Sequence, residues 1–276
     1  MKLILSFLSL LLYSKTILPQ NIERKIVIQN NSFFYASIHE EFQIATLHTG
    51  NISKSLKNAR KLALPAGRNY NEPVNPFSWD ITNHFMYAVS FLNHPLNSKM
   101  DALKRYKLSS LKEWNDSISV MDMIMESVEQ NRFAYNEPYQ FMIHRSNYLN
   151  GFYFDGIVLS DSSYVMLIVN NNQLSIWKYT QEKWTHSEVQ TLIVDGFFTL
   201  FEMNKQLYIL LNNGNVHKVS EERVHSSPLV ITNKTLKEHL LVLNRDKNTV
   251  QLIKISELNT QLPFKELVEK KGKYIF

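Results

Sequence analysis

Between residues 155 and 219 apolar runs alternate with short polar breaks, and one plan is written twice: DGIVLSDSSYVMLIVNNNQLSIWKYT, then DGFFTLFEMNKQLYILLNNGNVHKV. Each copy opens on Asp-Gly, at 155–156 and 195–196. An apolar run, a polar turn, a second run, an Asn-rich turn and a third run follow. That order predicts a three-stranded meander. Asn170-Asn171-Asn172 and Asn212-Asn213-Gly214 are tight-turn signals, because Asn and Gly tolerate positive φ. A less regular third copy occupies 228–232, 239–244 and 249–255, with its turn at 245–248. Near the start, 25–29, 32–38 and 42–47 read as another meander about Asn30-Asn31. Aromatic and β-branched residues dominate these runs, as strands prefer.

Other stretches are less regular. SKSLKNARKLALPAG carries Lys54, Lys57, Arg60 and Lys61, on a short helix or a basic loop. It is either a patch for an anionic partner or a solvated face. EPVNPFSWDITN (72–83) has the composition of a long loop. There Trp79 and Asp80 are the candidate ligand-binding residues: an indole to stack on a sugar or small ligand, and a carboxylate to accept hydrogen bonds. The competing reading makes Trp79 a plug for the core. Residues 84–92 form a strong apolar run, whereas 101–114 and 117–130 fit strand or helix. Ile118, Met121, Met125 and Val128 share one helical face, with Asp116 placed to cap it, so a short helical insertion near residues 100–130 is expected. Residues 132–144 read as two strands, and 263–271 as a short helix started by Pro263, before a closing strand at the chain end.

The middle strands YVMLIVN, QLYILLN and HLLVLN are apolar at successive positions. A strand with one wet face alternates, so a continuous apolar run implies cover on both faces. Meanders with such strands, recurring about every forty residues, resemble β-propeller repeats from about residue 25 to 255. The resemblance is to the fold alone: no repeating WD signature, kelch glycine pair or Asp-box marks a family. It implies an all-β, propeller-like array of five or six blades. The alternative is a β-sandwich, and the seven glycines, few for a propeller, keep that alternative open.

Composition narrows the function. Apolar residues at 44% and charged ones at 20% belong to a globular chain rather than a disordered one. A net charge of +5, to which Lys2 and Lys15 contribute, is too small to argue for nucleic acid. The absence of cysteine excludes disulfides, thiolate metal sites and a thiol nucleophile. Lys2 followed by the apolar stretch 3–13 reads as a signal peptide over residues 1–20, leaving one domain at 21–276. That stretch is shorter than the roughly 20 residues of a bilayer span, and no later stretch qualifies. The expected location is therefore secreted or periplasmic.

Motifs for chemistry are missing: no phosphate loop, GxGxxG, GxSxG or HExxH occurs. Asp155, Asp195 and Asp246 recur at repeat-like spacing, which suits calcium or a carboxylate pair on one reading and turn chemistry on the other. Arg245 and Lys247 oppose a cation in the last of these turns, so no metal or cofactor is expected. The reading is an exported binding or scaffold module presenting loops to a protein or glycan. The alternative is a polymer-acting hydrolase using Asp80, Asp155 and Asp195 near the propeller axis, catalysis that needs two carboxyl groups roughly 5–10 Å apart.

Overall fold

Strands pair with their neighbours in sequence, building sheets outward from one innermost strand each. The computed structural model describes residues 22–39, 44–63, 77–90, 102–108, 114–119, 152–170, 172–180, 183–194, 198–220, 223–259 and 261–275. Blade one holds β1 (Ile22–Gln29), β2 (Ser32–His39), β3 (Ile44–Asn51) and β4 (Arg60–Ala63). Blade two holds β5 (Phe77–Ile81), β6 (Phe85–Ser90), β7 (Ala102–Lys107) and β8 (Trp114–Ser119). Blade three holds β9 (Phe152–Val158), β10 (Tyr164–Asn170), β11 (Gln173–Thr180) and β12 (Lys183–Thr191). Blade four holds β13 (Phe198–Met203), β14 (Gln206–Leu211), β15 (Asn215–Val219) and β16 (Val230–Ile231). Blade five is β17 (His239–Asn244), β18 (Thr249–Lys254) and β19 (Lys273–Tyr274), with helix α1 (Phe264–Lys271) inserted before its last strand.

All pairing within a blade is antiparallel, as meanders require. The exception joins two blades. β1 pairs in parallel with β17, Lys25 opposite Leu241 and Ile28 opposite Asn244, merging blades five and one into a seven-stranded sheet. Innermost strands of a propeller all run the same way, so two of them that touch must pair in parallel. Elsewhere the inner strands meet through side chains: β9 lies against β5 and β13, and β1 against both of those as well.

The apolar middle strands behave as their composition demands. Every residue from Tyr164 to Val169 on β10 is buried, and so is every residue from Leu240 to Asn244 on β17. One core cluster packs blade three on blade four, through Leu167, Val169, Leu200 and Ile209. Another packs Phe201 and Leu210 of blade four against Leu241 and Val250 of blade five. Burial of this kind stabilises by roughly 25 cal/mol per Å² of apolar surface removed from water. The described residues are thus mostly β and propeller-like, in five strand groups, and not a sandwich of two sheets.

The turns follow their sequence signals. Asn30 and Asn31 have φ of 52° and 54°, and Asn204 and Lys205 have 52° and 60°. Gly214 sits at φ 90°, and a Cβ there would lie 2.2 Å from the Thr232 carbonyl oxygen.

Two expectations need correction. Residues 77–81 are the strand β5, not part of a long loop: both prolines of the segment precede it, and from Trp79 to Ile81 it is fully covered. Within the expected helical insertion near residues 100–130, Ala102–Lys107 and Trp114–Ser119 are strands that pair with each other. Sheet pairing there outweighs a helical face that Ile118 alone would supply. The remainder, with Met121, Met125 and Val128, lies outside the described residues. So do residues 1–21, Lys61 to Ala63 as side chains, Asp195, and the strands expected at 132–144.

Candidate functional site

The five inner strands end on one face, and the turns that follow them converge there. These are Asn30-Asn31 after β1, Thr82 to His84 after β5, Leu159 to Ser163 after β9, Asn204-Lys205 after β13 and Arg245 to Asn248 after β17. Residues from all five line a cleft of about 530 Å³. Its walls are mostly amide, hydroxyl and charged groups: Gln29, Asn30, Asn83, Ser162, Lys205 and Asn248 among them. No aromatic residue is part of its lining.

Polar side chains latch each blade to the next around this mouth. Asn30 Nδ2 donates to Asn83 Oδ1 (3.3 Å), tying blade one to blade two, and the Gln29 amide donates to the same oxygen. Asp80 Oδ2 accepts from Val158 N–H (2.9 Å), tying two to three. Glu202 accepts from Ser160 N–H (2.7 Å) and Ser160 Oγ–H (2.8 Å), tying three to four. Asn248 Nδ2 donates to Asn204 Oδ1 (2.6 Å), tying four to five. Asp246 accepts from Asn30 N–H (2.8 Å) and Asn31 N–H (2.9 Å), which returns blade five to blade one. The left-handed Asn30-Asn31 turn aims two successive N–H groups the same way, and one carboxylate takes both.

Arg245 floors the cleft. Its guanidinium meets Asp80 twice, at 2.9 and 2.8 Å, and reaches Gln29 Oε1 at 3.2 Å and the Ile81 carbonyl. The Asp80 side chain is fully buried and that of Arg245 is 29% exposed. One guanidinium nitrogen, Nη2, donates to both carboxylate oxygens, while Nη1 serves Gln29 and the Ile81 carbonyl, so the planar fork joins three neighbours at once.

Below lies a sealed polar level on the inner strands. Ser78 Oγ–H donates to Asp155 Oδ1 (2.6 Å) and accepts from Gly156 N–H (2.8 Å). Asp155 Oδ2 accepts from Leu200 N–H (2.8 Å) and Thr199 Oγ–H (3.1 Å). Lys25 Nζ approaches the Gly156 carbonyl at 3.5 Å and stands 5.8 Å from the centre of the Trp79 ring. β9 and β13 have a ladder partner on one side only, and these side chains take N–H groups of the bare edge.

The structure therefore brings Asp80 and Asp155 to the axis but not to solvent. Trp79 is also covered, with its ring over the Lys25 ammonium rather than in the cleft. Asp246 spends both oxygens on a turn. Lys25, Ser78, Thr199, Glu202 and Arg245 were not legible as site residues. Their partners lie far away in sequence, 165 positions for Arg245 and Asp80, and no local motif reports such a meeting. Among the described residues no group of three His, Asp or Glu side chains is placed to hold a metal. No helix of the described residues is long and apolar enough to cross a membrane.

No protein-family model matches the chain, and no curated protein sequence does. Solved structures do. An α-L-arabinofuranosidase from Podospora anserina, solved with cellotriose, is 10% identical over 87% of this chain and 85% of its own, with a TM-score of 0.50. A Bacteroides ovatus protein described as xyloglucan PUL GH43B is 10% identical over 85% of this chain but 48% of its own, with a TM-score of 0.48. The SapL1 lectin, in complex with alpha methyl fucoside, is 8% identical over 85% of this chain and 77% of its own, with a TM-score of 0.45. At such identity the likeness concerns the fold alone. With the inner-to-outer strand order of the blades, and the likeness to the arabinofuranosidase, the chain has a β-propeller-type fold.

Proposed function

We propose that the chain is an exported binding module that takes a glycan at the cleft where its five inner-strand turns meet, without cleaving it. One observation carries the preference for binding over hydrolysis. Asp80, Asp155, Glu202 and Asp246 each accept hydrogen bonds on both carboxyl oxygens from the protein itself. A general acid or a nucleophile must present an oxygen to the substrate. Acids so engaged hold the ring together instead. The groups left to a ligand are the amide atoms that the latches do not use, Asn30 Oδ1, Asn83 Nδ2 and Asn248 Oδ1, and the Ser162 hydroxyl, with Lys205 at the rim, a set suited to a hydroxyl-rich ligand. In this reading Asp80 serves the cleft indirectly, by fixing the Arg245 guanidinium in its floor, and Trp79 supports it from beneath. The glycan-linked proteins that share the fold add support to a glycan over a protein partner. The expected leader at residues 1–20 adds support to export.

The test is calorimetry of the secreted protein with neutral xylo-, arabino- and gluco-oligosaccharides, alongside an assay for newly formed reducing ends. Binding that weakens in Asn83→Ala and Asn248→Ala, with no reducing ends formed, is the expected result. Reducing-end release that Asp155→Asn abolishes overturns the binding reading in favour of hydrolysis.

A further inference from the structure

A second surface lies on the outer side of the cleft face, where Ile52 N–H donates to the Asn31 carbonyl (3.0 Å). The loop joining β3 to β4 carries Lys54 and Lys57, and Arg60 opens β4; all three are exposed. A short 3-10 turn at Leu56–Asn58, anchored by buried Leu56, holds the loop. The start of α1 docks directly on it: Phe264 N–H donates to the Lys54 carbonyl (2.9 Å) and Lys265 N–H to the Ile52 carbonyl (2.8 Å). Two segments some two hundred residues apart thus bring exposed Lys265 onto the loop that carries Lys54 and Lys57 and leads into Arg60.

The acids nearby are already taken. Glu266 pairs with Lys270, Glu257 with Lys271 at 3.5 Å, and Glu269 with Lys247 at 4.0 Å. No ion pair to Lys54, Lys57, Arg60 or Lys265 occurs among the described residues. Four cations on this loop and the helix docked on it have no acidic partner among the described residues, and an anionic ligand would offset their mutual repulsion.

We propose that this surface binds an anionic polysaccharide, one bearing repeated sulfate or carboxylate groups. The cations stand exposed on a loop and on the first turn of a helix, which suits an extended polymer that spans several of them. The segments 52–60 and 261–271 expose no large apolar side chain that could enter a bilayer; the exposed ones are Ile193, Leu229, Ile231 and Tyr274. They also carry no exposed aromatic ring on which a base could stack. The proposal is independent of the cleft.

The experiment measures binding of the full protein to a heparin oligosaccharide and to polygalacturonate, across a range of salt. The triple variant Lys54→Gln, Lys57→Gln, Lys265→Gln should lose about tenfold or more in affinity, the sum of three modest ion pairs. Its affinity should also depend less steeply on salt. The control, Lys218→Gln, Lys234→Gln, Lys237→Gln, removes equal charge from blade four and should bind as the parent does. Neutral oligosaccharides should not compete. Equal loss in both triple variants, no binding of either polymer, or binding confined to anionic phosphatidylglycerol vesicles would each overturn the proposal.

Discussion

Asp80 is a charge with no access to water, and Arg245 is what makes its burial tolerable. Removing one partner of such a pair leaves the other buried and uncompensated, which costs about 3–5 kcal/mol. Arg245→Leu should therefore lower the urea midpoint of unfolding by an amount equivalent to about 3 kcal/mol or more. Arg245→Lys should recover part of that, because an ammonium restores the charge toward Asp80 but not the Nη1 bonds to Gln29 and the Ile81 carbonyl. An Arg245→Leu protein as stable as the parent would show that the pair is not holding the axis. Tyr35 offers a second test. It stacks on His48 at 4.3 Å, its hydroxyl reaches the Leu56 carbonyl at 3.4 Å, and burial pushes its pKa from the ordinary 10 up to about 12. The folded state thus keeps the phenol proton longer than the unfolded state does. The stability linked to it is complete below pH 10 and is lost as pH rises through 12, by about 2 kcal/mol at the upper end. Melting curves between pH 9 and 12 should fall less steeply for Tyr35→Phe than for the parent.

Among the elements, the hairpins show how far local sequence reaches. Asn213-Gly214 marks the β14–β15 turn and also fixes where both strands end. The left-handed φ of Gly214, with Thr232 oxygen atoms where a side chain would go, makes Gly214→Val unfavourable on two counts. Loss of about 1 kcal/mol or more is expected. An unchanged melting temperature would contradict the turn. Strand β5 marks where local reading fails. The prolines just before it and its own polar residues suggest a loop, yet Ser78, Trp79, Asp80 and Ile81 are all buried, because neighbouring inner strands supply partners for the polar ones. Polarity predicts exposure only where no such partner comes into reach. β7 and β8 make the same point, since ladder pairing chose strand for residues whose spacing allowed either element.

For the molecule as a whole, the closing contact is the parallel pair β1 and β17. Ile26 and Val27 are fully buried in it, and Ile28 nearly so. A ring that opened there would expose two apolar blade faces and two strand edges at once. Deleting residues 21–29 should accordingly abolish a single cooperative melting transition, whereas a trimmed protein that melts as before would refute ring closure. Asp246→Ala should weaken the same seam more mildly, by about 1–2 kcal/mol, through the lost charged hydrogen bonds to Asn30 and Asn31. Much of this was legible beforehand. Continuous apolar middle strands mean cover on both faces, Asn and Gly pairs mean tight turns, and Ile26 to Ile28 in a row mean a strand that must be buried somewhere. All three follow from short-range chemistry that a sequence states outright. What only the tertiary structure decided is which distant groups meet. Asp155 has Ser78, Thr199 and Leu200 around it, Asp80 has Arg245, and the Lys54 carbonyl has Phe264 N–H. Nothing local specifies those encounters, since they arise when separate blades are brought round one axis. They determine whether a carboxylate is a tool held out to a substrate or, as here, a brace between blades.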